Sequence, residues 1–243
     1  MLEFVVAGML ASVVGYIILH TESHRDYFSP EHLFEGYPEG TFFIRPKYGG
    51  IILAITLFHV FVFWWTVANY QPLERVASFY LYTFAPLASL YYLEIIFPRK
   101  TIYTDLVGVG DERDFEKQVG VGLLIGGSVV LTFLLVPEIR MEFLELPPMA
   151  MYFITVAVPF TEEAVFGNFL TTSLLKNCGI VPAVVISGLV FAVFHYAVYQ
   201  ANVFYMFMAF VFRVLASLAL VKFGSFIPGL VGHMFVNTIA LLT

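Results

Sequence analysis

The chain has 243 residues, of which 60% are hydrophobic, 18% aromatic and only 12% charged. A soluble surface needs about a quarter charged residues, so this composition excludes an ordinary water-exposed globule and implies a chain that lives in a lipid bilayer. The net charge of -6 with no basic stripe leaves nucleic acid without an electrostatic footprint, and a single cysteine, Cys178, excludes an internal disulfide and a zinc ribbon.

A membrane-spanning helix needs about 20 mostly apolar residues. The sequence predicts about eight such runs, near 2–20, 49–70, 77–97, 118–136, 149–175, 179–199, 203–222 and 225–242. The expected fold is therefore an all-α polytopic helical bundle. Residues 1–243 would form one membrane domain, with four spans in 1–148 and four in 149–243. The first run lacks a basic leader and ends Ile17-Ile18-Leu19-His20 with no small-residue cleavage site, so it reads as a retained span. Breaks fall at Tyr48-Gly49-Gly50, Gln71-Pro72, Phe97-Pro98, Pro147-Pro148, Asn177-Cys178-Gly179 and Phe223-Gly224-Ser225. In the first connection Phe28, Leu33, Phe34, Phe42 and Phe43 recur as in an amphipathic or re-entrant segment. No internal repeat is present.

Lys and Arg gather in the odd-numbered connections: Arg25, Arg45, Lys47, then Arg99, Lys100, Arg113, Lys117, then Lys176 and Lys222. The even ones hold only Arg75 and Arg140. The positive-inside rule then predicts both termini outside, in a cell membrane or, in a eukaryote, the endoplasmic reticulum.

Few ionisable groups remain at membrane depth: Glu94, Glu162, Glu163 and Arg213, with His195 and His233 nearby. An ionised group there costs at least a few kcal/mol and marks a functional site by default. Glu162 and His195 lie about 16 residues on either side of the Asn177-Cys178-Gly179 turn, so at 1.5 Å per residue both reach roughly the same level. The turn near Phe223-Gly224 likewise sets Arg213 level with His233. Asn237 follows His233, and His195 follows Phe191, by four residues, one helical turn on the same face. Adjacent Glu162 and Glu163 point about 100° apart and so have different jobs.

A carboxylate, two imidazoles and a carboxamide at one depth form a usable hydrolytic set. The carboxylate can take a proton from water, while imidazole and amide orient that water and stabilise an oxyanion. Glu162, His195 and His233 are equally suited to hold a divalent metal such as zinc. The residues leave both routes open.

The Glu162-Glu163 pair, Phe191-Ala192-Val193-Phe194-His195 and His233-Met234-Phe235-Val236-Asn237 resemble, in order, the EExxxR, FxxxH and HxxxN/D motifs of the CPBP intramembrane proteases. That family includes the type II CAAX prenyl endopeptidases and bacteriocin-processing or immunity proteins. The resemblance covers the chain from about Met149 onward. It implies an eight-helix protein whose site opens within the bilayer, with Glu162 as general base and His195 holding or activating water. By the same resemblance His233 and Asn237 stabilise the oxyanion and Glu163 is a supporting carboxylate. The implied substrate is a peptide or membrane-protein segment, prenylated or otherwise apolar. One position departs from the pattern: Gly167 stands where the first motif has Arg. Arg213 is the expected replacement cation, pairing with Glu163 or Glu162 from another helix.

Other classes stay in view. A catalytically silent relative would act as a scaffold or immunity-type binding protein, and a proton-coupled transporter would also place Glu, Arg and His at mid-membrane. Three motif-like strings are rejected. Gly108-Val109-Gly110-Asp111 lies in a charged connection, Gly126-Gly127-Ser128 lacks a following Gly and a partner His, and HExxH is absent. His20 and His24 are a minor candidate metal pair, and His59 reads as a satisfied core histidine.

Overall fold

The computed structural model describes residues 2–24, 49–69, 111–135, 151–199 and 202–242. Among these the regular structure is helical, with no strand. In chain order the helices are α1 (Leu2–His20), α2 (Gly49–Asn69) and α3 (Phe115–Leu135). An irregular helical run follows, containing α4 (Val158–Glu162) and α5 (Thr172–Cys178), and then α6 (Ile180–Phe194), α7 (Val203–Phe223) and α8 (Ile227–Leu242). The predicted span near 77–97 with Glu94, and the connection over 25–48, lie outside the described residues.

Four segments are long and apolar enough to cross a membrane: Leu2–His20, Ile52–Asn69, Glu112–Leu135 and Val203–Phe223. Ile180–Phe194 and Ile227–Ala240 are apolar but shorter. The molecule is a helical membrane bundle. Its surface carries apolar side chains where water would demand charge: Leu2, Val5, Met9, Val13 and Tyr16 form an exposed stripe on α1, while Ala7, Val14 and Ile18 face inward. That exposed face suits lipid. α7 is the central helix, since 61% of its apolar window is buried against 17% for α1.

The helices turn where glycine allows it. α5 ends at Gly179 (φ 80°) and α7 at Gly224 (φ 59°), both in the positive-φ region that favours glycine. Polar contacts tie the helix ends together. The buried Asp114 carboxylate accepts hydrogen bonds from the His24 backbone N–H (2.7 Å), the His24 ring (2.8 Å) and Lys117 (3.3 Å), and Lys222 Nζ donates to the Leu19 carbonyl (3.1 Å). His20 bonds instead to the Tyr16 carbonyl, so His20 and His24 turn to different partners. His59 is satisfied by the Ile55 carbonyl. Ahead of α3, the Arg113 guanidinium hydrogen-bonds Asp111 and holds its carboxyl below the usual carboxylate range.

α3 and α8 cross at backbone contact. A Cβ at Gly122 would lie 2.7 Å from the Pro228 carbonyl oxygen, and one at Gly126 would lie 2.6 Å from that of Gly232. Lipid offers helices no hydrophobic reason to associate, so small residues that admit close van der Waals contact decide the pairing. Gly126, set aside above as a serine-protease decoy, has this packing role. Gly126→Leu should therefore destabilise the protein by about 1–3 kcal/mol or more. Gly127→Leu, where the Cβ meets nothing within 4 Å, should leave stability near that of the native chain. Thermal unfolding of the detergent-solubilised variants compares the two.

Candidate functional site

The predicted regular helix over 149–175 is not regular. Wide, i→i+5 turns occupy Phe153–Ala157 and Glu163–Thr171, on either side of the five-residue α4. Pro159 lies at the start of α4 and has no N–H, which disrupts the ordinary i→i+4 ladder there. In the second wide stretch the Phe166 carbonyl accepts from Thr171 Oγ1 and from Ser187 Oγ on α6, both at 2.8 Å. Wide helical turns are rare and recur at functional sites. Here they carry Glu162 and Glu163, the last residue of α4 and the first of the second wide stretch.

Both carboxylates are wholly buried, and they diverge. Glu163 Oε2 pairs with Arg213 Nη1 of α7 at 2.7 Å, and its Oε1 faces His233 Nδ1 of α8 at 3.2 Å. Arg213 also donates from Nε to Ser217 Oγ (3.2 Å), and its guanidinium carbon sits 5.8 Å from the Phe191 ring centre. Of the two partners expected for Arg213, Glu163 is the one it reaches. Gly167 faces this pair: a Cβ there would lie 3.2 Å from Arg213 Nη2 and 3.5 Å from Glu163 Oε2. Across the site, a Cβ at Gly229 would collide with the Glu163 carboxylate.

Glu162 is surrounded differently. Among the described residues neither of its oxygens has a hydrogen-bond partner, and Oε2 stands 3.8 Å from His195 Nε2 and 3.7 Å from His233 Nε2. His195 Nδ1 is 2.9 Å from the Phe191 carbonyl, which can only accept, so the ring hydrogen lies on Nδ1. By the same reasoning His233 Nδ1 donates to the Glu163 carboxylate. The His195 ring then presents an Nε2 lone pair toward a second acceptor, Glu162, which His233 Nε2 also faces. A water molecule, with two hydrogens to give, suits such a gap. A cation suits the same acceptors, although among the described residues no group of three or more His, Cys, Asp or Glu side chains is arranged to hold a metal ion.

His195 was expected within a helix running to about residue 199. α6 instead ends at Phe194, whose carbonyl accepts from the Trp64 indole N–H of α2 (3.2 Å). His195 sits just past that end, against Phe191 (ring centres 4.4 Å apart), Phe194 (5.2 Å) and Tyr199, stacked at 5.2 Å. Phe191 thus supplies the apolar neighbour expected of it. Asn237 lies one turn beyond His233, and its Nδ2 donates to the Ile154 carbonyl (2.9 Å), a partner that four-residue spacing does not reveal. Tyr199, Trp64, Thr171, Ser187 and Ser217 were also missed. Tyr199 continues the Phe191–His195 spacing by four and was findable. The others lack a comparable signal.

Residues 144–239 match the family model described as type II CAAX prenyl endopeptidase Rce1-like. The match supports, over this segment, the resemblance to the CPBP proteases carried by the three motifs. Comparison with curated proteins and with solved structures gives no match. All three motifs lie inside the matched segment, and the matched family is one of proteases. In this chain the cation beside the glutamate pair comes from α7, and Gly167 leaves room for it.

Removing one partner of a fully buried ion pair strands the other. Arg213→Leu should therefore lower stability by about 3–5 kcal/mol. Adding Gly167→Arg to that variant returns a guanidinium to the same space and should recover most of the loss in thermal unfolding. No recovery would show that the arginine cannot be supplied from position 167.

Proposed function

We propose that the chain is an intramembrane endopeptidase that hydrolyses a peptide bond in a lipidated or membrane-associated substrate. The observation that carries this reading is Glu162, a buried carboxylate with no hydrogen-bond partner among the described residues, facing two Nε2 atoms at 3.7 and 3.8 Å. A structural ion pair would be satisfied. This group is left open toward a donor.

In the proposed reaction a water molecule between Glu162 and His195 donates to both. Its oxygen attacks the scissile carbonyl carbon as its proton passes to Glu162. The resulting oxyanion accepts from His233 and from the Asn237 amide hydrogen that Ile154 does not use. His233 donates from Nε2 only as an imidazolium, because Nδ1 is committed to Glu163, whose carboxylate balances that charge. Glu162 then returns its proton to the leaving nitrogen as the C–N bond breaks. Phe191, packed on both imidazoles, keeps bulk water from the pair. A divalent metal at Glu162, His195 and His233 would instead supply a Lewis acid and a more acidic bound water.

A CAAX-type prenylated C-terminal segment is the candidate substrate that accords with the family description; a leader peptide or membrane-protein tail is the other. The best support for a catalytically silent scaffold is glycine in place of arginine at position 167, and the Arg213 guanidinium beside that glycine weakens it.

Glu162→Gln removes the base with little change of volume and should reduce cleavage by at least about 100-fold. Peptide termini in membranes of cells expressing each form provide the measurement. Termini seen only with the native chain establish proteolysis and identify the substrate, whereas identical profiles at equal protein levels refute it. Once a substrate is in hand, a chelator separates the two water-activating routes: loss of cleavage with recovery on adding zinc assigns the metal route, and indifference assigns the direct one.

A further inference from the structure

The i→i+5 pattern ahead of α4 cannot continue through residue 159, which is proline. In the i→i+5 pattern of Phe153–Ala157, the Ile154 carbonyl would next be served by the N–H of residue 159. Residue 159 is proline and has none to give. In a bilayer no water makes up the loss, and an unsatisfied carbonyl is expensive. The donor present is Asn237 Nδ2, at 2.9 Å from the Ile154 oxygen and 83 residues away in sequence.

We propose that Asn237 is a positioning residue that replaces the hydrogen-bond donor Pro159 removes, and so sets the register of α8 against the helical run bearing Glu162. His233 precedes Asn237 by one turn on the same face of α8. A slip of α8 by one residue would rotate His233 by about 100° and shift it 1.5 Å, away from both carboxylates. The Ile154–Asn237 bond lies at one end of this contact, and the Glu163–His233 and Glu163–Gly229 approaches lie at the other. Two separated anchors fix a helix in both translation and rotation. This role is additional to oxyanion stabilisation, because the amide has a second hydrogen. Its consequence for catalysis rests on the proposed peptidase reading; the anchoring itself does not.

The test needs no substrate. Asn237→Asp keeps the side-chain size but replaces the donor with an acceptor facing a carbonyl. Pro159→Ala restores a backbone N–H to the turn, giving Ile154 an intrahelical donor. The full chain in detergent should unfold at a clearly lower temperature with Asn237→Asp, and that loss should shrink by at least half when Pro159→Ala is also present. In protein labelled with 15N-histidine, Asn237→Asp should shift the His233 ring signals, and the double variant should return them toward native positions. Equal destabilisation by Asn237→Asp in both backgrounds overturns the proposal, as do His233 signals that do not move. Should Asn237→Asp alone fail to fold, recovery of a folded double variant supports the proposal and continued failure opposes it. Asn237→Ser, which shortens the donor, should then give the same coupling to Pro159→Ala at smaller amplitude. Loss of cleavage in Glu162→Gln alongside absent coupling would sink this inference and leave the peptidase reading intact.

Discussion

The bond between Glu163 and Arg213 is the constraint on which the interior depends. A carboxylate and a guanidinium withdrawn from water each lose several kcal/mol of hydration, and only close geometry with further hydrogen bonds offsets that loss. The fold supplies both. Arg213 reaches Glu163 at 2.7 Å and Ser217 at 3.2 Å, while Glu163 is also faced by His233. Gly167 and Gly229 present bare backbone to the pair, so the charged groups fill space that side chains would otherwise occupy. Three helical elements are fixed by one charge pair. With Glu163 occupied in this way, Glu162 is the carboxylate of the two that has no hydrogen-bond partner among the described residues.

Irregular backbone at membrane depth is tolerated only where protein satisfies it. The wide turns around α4 obey that rule through side chains of the run itself and of other helices. Thr171 and Ser187 bond the Phe166 carbonyl, Thr171 contacts Ser217, and Ser217 accepts from Arg213. A chain of polar contacts thus joins the opened helix to the ion pair. The two adjacent glutamates sit where α4 passes into the second wide stretch, one directed toward α7 and one toward the two imidazoles.

The N-terminal half contributes support. Gly122 and Gly126 of α3 seat α8 at backbone distance, which sets the position from which His233 projects. Trp64 of α2 takes the Phe194 carbonyl where α6 stops, and Phe63 stacks on the Phe194 ring at 4.7 Å. Neither helix lies in the segment matched by the family model, yet each holds a helix end or crossing that carries a candidate site residue.

The membrane class, the helical fold and the candidate polar residues were legible in the chain itself, for a simple reason: bilayer insertion demands long apolar runs, and any charge within them stands out. Glu162, Glu163, His195, Arg213, His233 and Asn237 were noticed because they violate the local composition. Spacing by four correctly paired Phe191 with His195, because a helix repeats every 3.6 residues. What spacing could not show was where the helices depart from that repeat. The wide turns at 153–157 and 163–171, and the end of α6 at Phe194, have carbonyls bonded by residues distant in sequence: Asn237, Ser187 and Trp64. The choice of Glu163 rather than Glu162 as the partner of Arg213 was likewise settled by packing, with Gly167 and Gly229 facing the pair. Composition and periodicity are local properties, and a single sequence displays them. Which of two neighbouring carboxylates meets Arg213 is a property of packing, and it appeared only when the helices were brought together.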